Sequence, residues 1–191
     1  MDIRDLDRRA LDTLGTVIAQ TGPDQLRLPT PCADWTLHGL LRHQVSENLG
    51  FAAAAAGVTD DIRAWDQGDL GGDPHRAYRD SAEAMTKAFT EDVLEQRLQI
   101  REFGFFPGRV ALGMHVLDCV VHGWDVARTI GVAYDPDADL VDLALRVAAR
   151  IPAGSPSDDR PRAAFAPAVE IAADSPALER LLGLVGRRPA S

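Results

Sequence analysis

The sequence predicts an all-α protein, a bundle of four long helices followed by a short irregular appendage. Three observations predict it. Apolar residues recur at intervals of three and four through most of the first 151 positions, the spacing that lines one face of a helix. Proline, glycine and aspartate gather in the gaps between those stretches, where helices stop and start. Extended patterns are confined to two short stretches, residues 93–107 and 168–171.

The first helix reads from Ile3 through Leu6, Ala10, Leu14, Val17 and Ile18, with Asp and Arg on its other face, and stops before Thr21-Gly22-Pro23. A connector, Leu28-Pro29-Thr30-Pro31-Cys32-Ala33-Asp34-Trp35, leads to Thr36. Thr36 can cap a second helix that carries Leu37, Leu40, Leu41, Val45, Leu49 and Phe51. Residues 57–73, rich in Gly and Asp, read as a loop. Asp73-Pro74 sets a cap before a proline at the first helical position, and the third helix follows with Ala77, Tyr78, Ala82, Met85, Ala88 and Phe89. Residues 93–107 break the rhythm and read as an extended arm or a small hairpin.

The longest helical pattern runs from Gly108 to about Ile130, with Gly131 as its stop. Asp135-Pro136 opens another helix through Leu140, Leu143, Ala144, Val147 and Ile151. Residues 152–162, rich in Pro, Ser and Asp, form a linker or loop. Ala168 to Ile171 then reads as extended and Ala177 to Leu184 as a short helix. The expected division is therefore a bundle over 1–151 and an appendage over 152–191, packed on the bundle and too short for a separate domain.

Composition narrows the function classes. The 191 residues suit one hydrophobic core, and shares of 46% apolar and 26% charged residues are those of a globular chain. With 29 acidic against 20 basic residues the formal charge is −9, which argues against nucleic acid or an anionic membrane as a partner. Arg187-Arg188 reads as a solvated tail. No apolar run approaches the roughly 18 residues of a membrane span, and the charged, amphipathic start is unlike a signal peptide. The expected location is the cytoplasm. Cys32 and Cys119 cannot build a disulfide framework; Cys119 reads as a buried small hydrophobe, and Cys32, in its turn, as a packing residue or, second, a reactive thiol.

The chemistry lies in His115-Val-Leu-Asp118-Cys-Val-Val-His122-Gly-Trp124-Asp125. Residues three or four apart share a helix face, so Asp118 and His122 stack, with His115 and Asp125 a turn away on either side. On the second helix His43 and Glu47 have the same spacing. A polar stripe on an apolar helix is costly unless satisfied, and two readings satisfy it. In one, two His and a carboxylate hold a divalent metal: zinc first, with nickel, iron or manganese also compatible with the donor set. In the other, the same groups hydrogen-bond within the bundle. Glu47 is an extra ligand, a base, or a salt-bridged or exposed residue. His115 either donates to Asp118 or sits on the surface. Asp125 is expected to pair with Arg128 or to cap a neighbouring loop, and Trp35 and Trp124 to belong to the core.

The runs TPCADW, LLRH, D-x-x-x-HGWDVAR and LLGLVGRRP resemble the actinobacterial maleylpyruvate-isomerase-like family, the mycothiol-dependent branch of the DinB-like superfamily of metal-binding four-helix bundles. The resemblance runs from residue 5 to 189, and HGWDVAR is its most specific part. It implies one ligand His on the second helix and an acidic-x-x-x-His pair on a later one, which by position are His43, Asp118 and His122. The isomerases of the family carry Glu at the acidic position; Asp118 has a shorter arm, which bears on bond length and ion preference. Those isomerases also carry a separate C-terminal domain, so the resemblance bears on the metal site more than on the isomerase reaction.

Two functions follow as expectations. One is a metal- and mycothiol-dependent transferase or isomerase, whose partners are a small thiol and a small electrophilic substrate. The other is a non-catalytic metal-binding or ligand-sensing bundle. An open coordination position favours the first, and a fourth protein ligand such as Glu47 favours the second. A homodimer is compatible with the sequence, although no motif argues for one.

Overall fold

A computed structural model describes residues 2–32, 35–58, 61–151 and 165–189. The four long helices expected are the ones found: α1 (Ile3–Ile18), α2 (Leu37–Ala55), α3 (Pro74–Ala88) and α4 (Gly108–Ile130). Their starts follow local chemistry. The Asp2 carboxylate accepts from the Arg4 amide, the Thr36 hydroxyl from Gly39, and Asp73 from Arg76, with Pro74 behind it. Each satisfies an amide that has no partner within the helix. Helix α4 stops at Gly131, whose left-handed φ of 76° suits a residue without Cβ.

The four helices close into a ring, since α1 packs on α4, α4 on α2, α2 on α3 and α3 on α1. The long edge of α4 is buried nearly all round, from Ala111 and Leu112 through Val116, Leu117, Val120 and Val121 to Val126. Helix α2 is similar, while α1 and α3 bury one face each. This is the difference between a helix inside a molecule and one on its surface. Leu14, Leu37, Leu40, Met85 and Leu112 are wholly buried between them.

The ambiguous stretch before α4 is an antiparallel hairpin, β1 (Arg97–Ile100) with β2 (Gly104–Pro107), in register from Arg97 opposite Pro107 to Ile100 opposite Gly104. Its turn places Arg101 at φ 46°, in the left-handed region that side chains disfavour. The Gly- and Asp-rich loop contains a 3₁₀ turn, Ile62–Asp66, which seats Trp65 edge-on against Phe51, with ring centres 5.0 Å apart.

After α4 come α5 (Ala138–Ala148) and α6 (Ala177–Leu184), α5 against α4 and α6 against α5. Helix α5 starts two residues beyond the expected Asp135-Pro136, and Arg9 of α1 pairs with Asp137 and Asp139 at its first turn. The linker read over 152–162 lies outside the described residues. The extended piece at 168–171 forms no ladder: Val169 donates its amide to the Gly183 carbonyl, at 2.8 Å, so it pairs with the end of α6 instead of with a strand. Among the described residues no helix is long and apolar enough to cross a membrane.

Candidate metal centre

Helices α2 and α4 face each other where the sequence placed its polar residues. His43 comes from the second turn of α2; Asp118 and His122 come from one face of α4. One ligand atom from each of the three lies within 4.8 Å of the other two. A single oxygen, Asp118 Oδ1, stands 3.5 Å from His43 Nε2 and 3.4 Å from His122 Nε2. Three residues from two helices thus point their donor atoms at one spot. The spot is not sealed, since the side chains of His43 and Asp118 keep 18% and 16% of their surface against 4% for His122.

Each donor is oriented from behind. Gln44 Nε2 donates to Asp118 Oδ2 at 2.7 Å, which leaves Oδ1 to the imidazoles. His122 Nδ1 bonds to Asp125 Oδ2 at 2.9 Å, which holds a proton on Nδ1 and turns Nε2 toward Asp118. The Nδ1 of His43 approaches Glu47 Oε1 more loosely, at 3.5 Å. The Gln44 Oε1 atom is buried without a hydrogen-bond partner among the described residues.

Electrostatics tie the group together. Burial alone would raise the pKa of Asp118, but the neighbouring His122 and His43 outweigh it and hold the carboxyl well below its usual range. Burial would likewise lower His122; Asp118 and Asp125 prevail and push it up to about 10. Asp125 is held low by His122 and Arg187 against its own burial. Without a metal, the spot is a cationic imidazole between carboxylates.

The residues expected around the site depart from the sequence reading in three places. His115 neither donates to Asp118 nor lies on the surface. It is wholly buried and bonded to Asp7 Oδ1, at 2.6 Å, and Asn48 Oδ1, at 2.9 Å, because its face of α4 looks toward α1. Asp125 pairs with Arg187 rather than Arg128, through Nη2 at 2.8 Å and Nε at 3.3 Å. Arg187 is consequently no solvated tail: it is 5% exposed, and the end of the chain folds back over α4 to bring it there. Glu47 is buried and ion-paired with Arg101 of the hairpin turn.

Two further residues border the site. The Trp35 ring lies 4.5 Å from that of His43 and 6.2 Å from that of His122, against the ligands as well as the core. Cys32 Sγ sits within 4.8 Å of donor atoms of His122 and Asp125, where burial pushes its thiol pKa up and keeps it protonated. Arg101 and Gln44 carried no signal in the sequence, and Arg187 was read as a solvated tail, since nothing local marks a side chain that is recruited across the fold.

Comparison with known proteins agrees with this architecture. The family model described as the mycothiol maleylpyruvate isomerase N-terminal domain matches residues 8–127, which span both helices of the site. Two uncharacterized proteins of Mycobacterium tuberculosis, MT0763 and Rv0738, are each 28% identical over 180 residues, with 94% of both chains covered. A crystal structure of the mycothiol-dependent maleylpyruvate isomerase superposes with a TM-score of 0.61 at 15% identity, over 77% of this chain and 66% of that one. At that identity the likeness is one of fold, and this chain spans slightly less than two thirds of that isomerase's length. The sequence match over more than half of its residues establishes that the chain belongs to the mycothiol maleylpyruvate isomerase N-terminal domain family.

Proposed function

We propose that the protein binds one divalent metal ion through His43, Asp118 and His122 and acts as a mycothiol-dependent thiol transferase or isomerase on a small electrophile. The observation that carries the reading is the convergence of His43 Nε2, His122 Nε2 and Asp118 Oδ1 on one partly open spot. Two imidazoles and a carboxylate are a donor set for zinc, with nickel, iron and manganese as alternatives, and three protein ligands leave room for a further one.

The neighbouring acids support an open site. Glu47 is tied to Arg101 and Asp125 to Arg187, so neither is free to turn in as a fourth ligand. The three carboxylates Glu47, Asp118 and Asp125 exceed the guanidiniums of Arg101 and Arg187 by a single negative charge. A divalent ion reverses that sign, and an anionic sulfur restores neutrality. A metal in this place supplies Lewis acidity that turns a bound thiol into a thiolate near neutral pH. The chain's own share is positional. Asp125 holds His122, Gln44 holds Asp118, and the unpartnered Gln44 Oε1 offers an acceptor for a donor on an incoming molecule. Free cysteines at 32 and 119 suit the reducing cytoplasm in which a thiol cofactor works.

Elemental analysis of the purified protein beside His43→Ala and His122→Ala, followed by titration with mycothiol, tests the proposal. One metal per chain, lost in both variants and perturbed by the thiol, is the expected result. Alanine is a strong helix former, so helix content should hardly change. Metal retained at full stoichiometry in His122→Ala would sink the ligand set. Metal bound without any response to thiols would leave the non-catalytic bundle as the better description.

A further inference from the structure

Behind the two candidate ligand histidines stand two relays, and each begins outside the four-helix ring. One runs from Arg187 to Asp125 to His122. The guanidinium meets Asp125 with two nitrogens, at 2.8 and 3.3 Å, and Asp125 Oδ2 in turn bonds His122 Nδ1 at 2.9 Å. The other runs from Arg101 to Glu47 to His43, with a close Arg101–Glu47 ion pair and a 3.5 Å approach of Glu47 Oε1 to His43 Nδ1. Arg101 belongs to the hairpin turn and Arg187 to the segment after α6.

Both cations are held in place at visible structural expense. Arg187 is almost wholly buried, and charged groups occupy such places only when paired. The chain reaches it through Gly186 at φ 79°, where a Cβ would stand 2.6 Å from Ala166. A third nitrogen of Arg187 donates to the Val185 carbonyl at 2.8 Å. Arg101 sits in the left-handed region at φ 46°, its guanidinium 5.2 Å over the Trp65 ring and 3.4 Å from the Trp65 carbonyl. Non-glycine backbone of this kind persists where surrounding contacts over-determine it, and it gathers at functional sites.

The geometry points to Arg101 and Arg187 as positioning residues of the metal centre, clamping the carboxylates that orient His43 and His122, so that metal loading and the docking of the hairpin and the C-terminal segment reinforce each other. This rests on the metal-binding reading of the site. Coupling of this sort is reciprocal: whatever a docked segment adds to metal affinity, bound metal adds to docking. The two arms differ in length, and the Arg187 arm, with hydrogen bonds throughout, carries the larger share.

Zinc affinity measured by competition with a chromophoric chelator tests the clamp in the full chain. Substituting an outer partner of a ligating histidine typically weakens metal binding by about 10–100-fold, and that is the loss expected for Arg187→Met. A smaller loss is expected for Arg101→Met. Arg187→Lys, which keeps the charge without the fork, should recover part of the affinity, and adding Arg187→Met to Asp125→Asn should cost little more than Asp125→Asn alone. Hydrogen exchange supplies a readout independent of the affinities: zinc should slow the amides of 183–188 and 97–104 in the wild type, and 183–188 no longer in Arg187→Met. If Arg187→Met fails to fold, Arg187→Lys, Asp125→Asn and the wild-type exchange data carry the test. Wild-type protein that binds zinc while Arg187→Met and Asp125→Asn stay within about twofold of it would overturn the clamp and leave the metal site standing. Wild-type protein that binds no zinc would overturn the metal site itself.

Discussion

The histidine at 122 sets how the centre answers to pH. In the metal-free protein, burial works against its charge, yet Asp118 and Asp125 push it up to about 10, above the roughly 6.5 of an unfolded imidazole. A raised folded-state pKa gives stability that is complete below the unfolded value and fades as pH climbs toward the folded one. Asp118 is shifted the other way, well below 3.8, so its contribution is present above that value and lost on acidification. The metal-free protein should therefore melt highest between pH 4 and 6.5 and lower by pH 10. Metal needs the neutral imidazole, so at pH 7 binding should release a proton and tighten as pH rises. Calorimetric titration of zinc in two buffers of different ionisation enthalpy measures that proton, and a heat independent of buffer would refute the assignment. The i, i+4 spacing made Asp118 and His122 legible as a pair, and His43 became their partner through the LLRH run. Arg187, Arg101 and Asp7 were not legible, because pairing across 62, 54 or 108 positions leaves no local pattern.

Helices were legible where a periodic face met a cap or a stop, as in α1 before Thr21-Gly22-Pro23 and α3 from Asp73-Pro74. The hairpin was not, since four-residue strands show too few alternations to be told from an irregular arm. Helix α2 also hides a requirement that periodicity does not express. At Gly50 the indole of Trp65 lies so close that an added Cβ would meet three of its ring atoms at 2.3, 2.5 and 3.0 Å. Two effects compete in Gly50→Ala. Helix propensity favours alanine by about 1 kcal/mol, whereas overpacking a filled interior costs about 1–3 kcal/mol. The ring is rigid, 6% exposed and pinned against Phe51, so the upper half of that cost applies and the clash should win by about 1–2 kcal/mol. Because Trp65 also lies beneath Arg101, the displaced ring should disturb the Arg101–Glu47 pair. Urea unfolding of Gly50→Ala checks the sign: a variant as stable as wild type would mean that the 3₁₀ turn carrying Trp65 moves freely.

The bundle is tied together by a second polar layer that shares no residue with the candidate metal centre. His115 of α4 bonds Asp7 of α1 and Asn48 of α2, and Asn48 Nδ2 donates to Ser81 Oγ of α3, at 2.9 Å. Four helices meet in one chain of hydrogen bonds, and the donor logic fixes the orientation of Asn48. The Ser81 hydroxyl must donate to the Tyr78 carbonyl, at 2.8 Å, so it accepts from the Asn48 amide, which leaves Asn48 Oδ1 as an acceptor. Asn48 Oδ1 therefore takes the proton of His115 Nε2; burial works against a charge on the ring, yet Cys119 and Asp7 hold its pKa well above the usual value, so Nδ1 is protonated as well. The result is a wholly buried imidazolium–carboxylate pair. Such a pair contributes little net stability relative to apolar residues of the same shape, but removing one partner strands a charge and costs about 3–5 kcal/mol. Asp7→Ala should therefore lose about that much in urea unfolding, and the double replacement Asp7→Leu with His115→Leu should regain a good part of it. Metal stoichiometry should stay at wild-type value in whatever fraction folds, because the hydrogen bonds that join these four residues go to one another and not to His43, Asp118 or His122. A loss below about 1 kcal/mol for Asp7→Ala would mean that water reaches His115 and the layer is not sealed.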